Sequence, residues 1–152
     1  MSREIFEIVQ GMDLKNIETQ LALQCAPLIT GLKISNMLIV SNEDEKLVRA
    51  ILKRTGISCY RLLQNEKKIT LLLFRRNQLE KFLEREDVSE VLREEGYVEI
   101  QLGRILSIFQ MRYRAYMNGS KIFPHEMGLL LGYPVEDVTG FMVHGGKNSL
   151  YS

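Results

Sequence analysis

Residues 57–74 read Ile57-Ser58-Cys59-Tyr60-Arg61-Leu62-Leu63-Gln64-Asn65-Glu66-Lys67-Lys68-Ile69-Thr70-Leu71-Leu72-Leu73-Phe74. Two apolar runs, Ile57–Leu63 and Ile69–Phe74, flank the polar connection Gln64-Asn65-Glu66-Lys67, short enough for a β-hairpin. Upstream, Met37-Leu38-Ile39-Val40 is a third short apolar run, closed by the cap-like pair Ser41 and Asn42. It predicts a buried strand feeding a helix that carries Leu47, Val48, Ile51 and Leu52 and stops at Gly56. Further back, Ile5, Ile8 and Val9 have helical spacing behind Ser2, and Leu14, Ile17, Leu21 and Cys25 repeat it behind Asp13. Pro27 donates no backbone hydrogen bond and disfavours helical angles at Ala26, so this helix is expected to stop near Cys25.

Beyond Asn77 the pattern is helical to the end. Leu79, Phe82 and Leu83 form one face, and Val88, Val91 and Leu92 another, closed by Gly96. Ile105, Ile108, Phe109, Arg112, Tyr113 and Tyr116 mark the longest helix, ending at Gly119. Pro124 and Pro134 each suit the first turn of a further helix, with Gly132 between the two. Strands confined to the first half predict an α+β fold: a small three-stranded, largely antiparallel sheet packed by helices, with an all-helical C-terminal part. One domain spanning 1–152 is expected, with a mixed half over 1–75 and a helical half over 76–152.

Composition narrows the partners. The 152 residues are 45% hydrophobic and 26% charged, with 20 basic and 19 acidic side chains and a formal charge of +1. At that length roughly two thirds of the unfolded surface is buried on folding, so the core needs neither disulfides nor metal. Near-neutrality removes the general attraction that nucleic-acid and acidic-membrane binders use. Two cysteines and no leader or long apolar run indicate a reduced, cytoplasmic protein with no membrane association.

Four features carry candidate chemistry. Cys25, with Lys33 downstream, is a nucleophile if a base lies in reach; at an apolar helix position near a helix end it reads instead as packed and inert, as does Cys59. His125 and Glu126 follow Pro124 at an expected helix start, where free N–H groups hold anions; in the plainer reading Glu126 complements the helix dipole. Arg112 belongs to an apolar stripe inside a window from Ile100 to His125 that holds Arg104, Arg114 and Lys121 but no acid. A partly buried guanidinium needs a carboxylate such as Glu126 or an anionic ligand. Lastly, Gly128, Gly132, Val138 and Phe141 fit helix-turn-helix spacing, but the would-be recognition helix begins with Glu136 and Asp137, which phosphate repels. A close-packed helical hairpin is the expected reading. With His125 and His144 the only histidines, no metal set is complete, and no phosphate loop, nucleophile elbow or Cys-x-x-Cys pair is present. No cofactor is expected.

Three segments, Gln24-Cys25-Ala26-Pro27, Gly31-Leu32-Lys33 and above all Phe123-Pro124-His125-Glu126-Met127-Gly128-Leu129-Leu130-Leu131-Gly132-Tyr133-Pro134-Val135-Glu136-Asp137-Val138, carry a resemblance. The chain resembles domain-of-unknown-function family thirty-seven ninety-three, bacterial proteins chiefly of anaerobic Firmicutes such as clostridia, across nearly its whole length. The resemblance implies kinship with no established activity. Where that family has His before Cys-Ala-Pro this chain has Gln24, so no role for that imidazole carries over. The chain also stops at Ser152, soon after Gly146-Lys147-Asn148, where the family tends to continue into an aromatic segment.

The leading expectation is a non-enzymatic binding or regulatory module for a protein or a small anionic ligand, with Cys25, Lys33, Arg112, His125, Glu126, Lys147 and Asn148 as candidate ligand-binding residues. The alternatives are a small thiol- or His-dependent enzyme and a helix-turn-helix DNA-binding regulator. Specific nucleic-acid binding is not expected.

Overall fold

The computed structural model describes residues 17–144, which form two compact units divided between Arg76 and Asn77. The expected helix over Ile5, Ile8 and Val9, together with Asp13 and Leu14, lies outside the described residues, as do Lys147 and Asn148.

In the first unit, helix α1 (Ile17–Ile29) precedes strand β1 (Ser35–Ser41), a 3-10 turn over Asn42–Asp44, helix α2 (Glu45–Thr55) and strands β2 (Ser58–Gln64) and β3 (Lys68–Phe74). The sheet is antiparallel throughout, in the order β1-β3-β2. Central β3 is buried from Ile69 to Phe74, which explains why only Thr70 interrupts its apolar run. The hairpin turns on Asn65, whose Oδ1 accepts the backbone N–H groups of Lys67 (2.9 Å) and Lys68 (2.8 Å), an Asx turn. Helices and one sheet face enclose a core of Leu21, Cys25, Leu28, Val48, Leu52 and Leu71 with their neighbours. Leu47, expected on the buried face of α2, is 42% exposed, at the edge of the Val48–Leu52 stripe.

The expected stop of α1 near Cys25 does not occur: Pro27 sits inside the helix, which runs four residues further to Ile29. Burial decides this. Leu28 is fully buried, and the carbonyl that Pro27 leaves without a donor belongs to Leu23, an exposed residue. Arg75 then caps the extended end, its Nε donating to the Leu28 carbonyl (2.8 Å) and Nη2 to that of Ile29 (2.5 Å). A cation at a helix C-terminus offsets the dipole as well as the unpaired carbonyls.

The second unit is helical: α3 (Arg76–Glu84), α4 (Glu86–Glu94), α5 (Leu102–Met117), the single turn α6 (Met127–Leu130) and α7 (Val135–His144). Leu102, Ile105, Leu106, Phe109 and Tyr113 form the buried stripe of α5. The helix expected to begin at Pro124 starts three residues later, because the carbonyls of Pro124, His125 and Glu126 first accept a run of i+3 turn bonds. At Gly128 an added Cβ would lie 2.8 Å from Val138 Cγ2, so α6 meets α7 closely only through a glycine. Gly132, between them, has φ of 80°.

That angle makes a prediction. Gly132→Ala places a Cβ in the left-handed region and is expected to cost about 1 kcal/mol of stability. Thermal unfolding of the two proteins measures it; an unchanged midpoint would show that the turn does not require glycine.

Candidate functional site

The segment joining α5 to α6 is built around one buried acid. Glu126 is 1% exposed, and a carboxylate that deep is tolerated only with hydrogen bonds and a countercharge. Both are supplied at Oε2: Arg112 Nη1 donates to it at 2.6 Å and the Tyr97 hydroxyl at 2.7 Å. Three separate segments meet there. Arg112 comes from the middle of α5, Tyr97 from the turn after α4, and Glu126 from the N-terminal edge of α6.

The turn after α4 is shaped to admit the guanidinium. Gly96 has φ of 95°, and a Cβ on it would stand 3.1 Å from Arg112 Nη2. With that space open, Nη2 donates to the Glu95 carbonyl at 2.6 Å, one of the last acceptors of α4. The fully buried Tyr97 ring lies beneath, 4.7 Å from the guanidinium carbon, in cation–π contact. Burial first, and then the Glu126 carboxylate, push the Tyr97 phenol well above its ordinary range, so it stays a donor and is no base at neutral pH. Burial alone would lower the Arg112 pKa; the hydrogen bond it donates to Glu126 and the charges around it more than offset that and hold it up.

Phe123-Pro124-His125-Glu126 is a partition between two cavities. Pro124 and Glu126 line the first, of about 410 Å³, together with Glu95, Arg112, Ala115 and Ile122. His125 lines the second, of about 300 Å³, with Met127, Gly128, Leu131, Tyr133 and Val138. Phe123 belongs to both, its ring edge-on to Tyr116 (5.0 Å) and to His125 (5.2 Å). The first cavity opens beside two exposed apolar side chains, Tyr116, in ring contact with Phe123, and Ile122, the latter 81% exposed.

The candidate residues from the sequence fare differently. Arg112 and Glu126 come together as an ion pair, and His125 faces the neighbouring cavity. Lys33 lies in the loop after α1, its backbone N–H bonded to the Pro27 carbonyl. Cys25 belongs to the core of the first unit, 1% exposed and inside α1 rather than at its end. Burial, with Cys59 adding to it, pushes its thiol up to about 11. Cys59 is shifted upward by burial too, and both thiols are free. Tyr97 and Phe123 are not among the sequence candidates, although a residue three places beyond α4 and just after a left-handed glycine is where a buried contact accompanies a helix end. Among the described residues no three His, Cys, Asp or Glu side chains gather as a metal site, and no helix is long and apolar enough to cross a membrane.

Comparison with known proteins places residues 21–152 under the family model described as Protein of unknown function (DUF3793). No curated protein and no solved structure matches the chain.

The chemistry of Cys25 is directly measurable. With Cys59→Ser in place, the native protein at about pH 8 is expected to react with a disulfide reagent at least roughly 100-fold more slowly than free cysteine, since the thiolate forms only as pH approaches 11. Labelling at the free-cysteine rate would make the thiol accessible and ionised and revive a thiol enzyme.

Proposed function

The chain belongs to the family of proteins of unknown function DUF3793, which passes on no activity, and from its own geometry we propose a non-enzymatic binding module that recognises a partner polypeptide. The observation that carries this reading is the first cavity of the second unit with its apolar margin: Tyr116, edge-on to Phe123, and Ile122 stand exposed at a concave wall of Ala115, Ile122, Phe123 and Pro124. Concave apolar surface continuous with exposed aromatic and aliphatic side chains is what interface cores are made of.

The expected ligand classes were a protein and a small anion. Geometry supports the protein better, because the positive charge of Arg112 is matched by Glu126 at 2.6 Å and both of its terminal nitrogens already donate. A thiol enzyme is less supported, with Cys25 enclosed in the core of the first unit. DNA reading fares no better: α6 is a single four-residue turn, too short for the first helix of a helix-turn-helix, and Glu136 and Asp137 are exposed in the first turn of α7. Two free thiols are consistent with a cytoplasmic setting.

Peptide display tests the reading. Panning a random peptide library on the protein is expected to enrich a consensus whose synthetic peptide binds at least about tenfold more weakly to Ile122→Asp, a change at a side chain too exposed to disturb folding. Failure to enrich any consensus, or binding indifferent to Ile122→Asp, would overturn a polypeptide-binding role for this surface.

A further inference from the structure

The charges in the wall of the first cavity say what kind of side chain enters it. Two acidic residues, Glu95 and Glu126, and one basic residue, Arg112, line it. Glu126 and Arg112 neutralise each other, which leaves Glu95. Glu95 is a half-buried residue whose charge lies within electrostatic reach of Arg112, and its carboxylate makes no hydrogen bond or ion pair among the described residues. The rest of the wall is apolar apart from Ser120, whose Oγ accepts the Ile122 backbone N–H at 3.3 Å. Lys121, between two wall residues, carries the opposing charge but is exposed and outside the wall. Solvent and salt screen such a charge, whereas a carboxylate in a concave, partly desolvated wall is screened far less. Phe123 adds an aromatic surface, which attracts cations and repels anions.

We propose that the first cavity takes the side chain of a lysine from a partner polypeptide, its aliphatic stem against Ile122 and Phe123 and its ammonium at Glu95. A lysine stem buries apolar area while its head stays in reach of water, which matches a wall apolar along most of its length and charged at one place. The inference rests on the polypeptide-binding reading above and adds the chemistry of the residue recognised.

Three acetylated, amidated pentapeptides Ala-Leu-X-Leu-Ala, with X lysine, norleucine or glutamate, are titrated by NMR into the whole protein and into Glu95→Gln, reading the Ala115, Ser120 and Ile122 amides. The Glu95 side chain makes no hydrogen bond or ion pair among the described residues, so the isosteric variant removes its charge and keeps the fold. The lysine peptide is expected to bind about three- to fivefold more tightly than the norleucine peptide, an advantage that disappears in Glu95→Gln and shrinks with added salt. Equal affinity for lysine and norleucine, or an advantage that survives Glu95→Gln, overturns the proposal while leaving any Ile122-dependent binding in place. Tightest binding of the glutamate peptide overturns it in favour of an anionic group. No binding by any of the three overturns it as well, and the display experiment then decides separately whether the surface binds polypeptides at all.

Discussion

A carboxylate at 1% exposure sets the terms for the second unit. Left alone, the ionised Glu126 would be among the most unfavourable groups a small unit could bury, so its surroundings must supply both charge and directed hydrogen bonds. Arg112 brings the charge, Tyr97 a second donor, and the Glu95 carbonyl fixes the far side of the guanidinium. Each requirement recruits a different stretch of chain. The turn after α4 must leave room at Gly96, α5 must present Arg112 toward that turn, and the Phe123–Glu126 segment must run between them. Replacing any partner alone leaves the others buried without satisfaction, which makes the network a strong constraint on register even where its net contribution to stability is modest.

The same constraint shapes the surface. Because Glu126 points inward, the residues before it are held as a wall, with Pro124 on one cavity and His125 on the other. Phe123 is clasped between the Tyr116 and His125 rings. The stripe that is buried along α5 through Tyr113 continues into Tyr116 and Met117, where it emerges into solvent beside that wall. The network, with Tyr97 held protonated and Arg112 paired to Glu126, thus stands behind a concavity lined mostly by apolar residues and by Glu95.

Much of this architecture is legible in the chain itself. The hairpin follows from two apolar runs about a polar connection with Asn65, and the left-handed turn at Gly132 from its place before Tyr133 and Pro134. Arg112 on an apolar stripe calls for a carboxylate, and Glu126 answers it. Local rules fail where burial outbids them: Pro27 reads as a helix stop, yet the burial of Leu28 and the cap from Arg75, 47 residues away, carry α1 past it. Tyr97 is illegible for a different reason. Gly96 before it marks a buried contact at a helix end but not what that contact is, because the partners Arg112 and Glu126 are 15 and 29 residues distant.

The central claim is that Arg112 and Glu126 act as one unit that holds the partition in place. Denaturant unfolding of Arg112→Met, Glu126→Leu and the double variant measures it as a coupling energy. The account predicts that each single change costs about 2–3 kcal/mol, and that the double falls short of their sum by about 1.5 kcal/mol or more, because removing both charges together leaves neither stranded. Costs that add to within about 0.5 kcal/mol would contradict it, showing that the two side chains stabilise the unit independently.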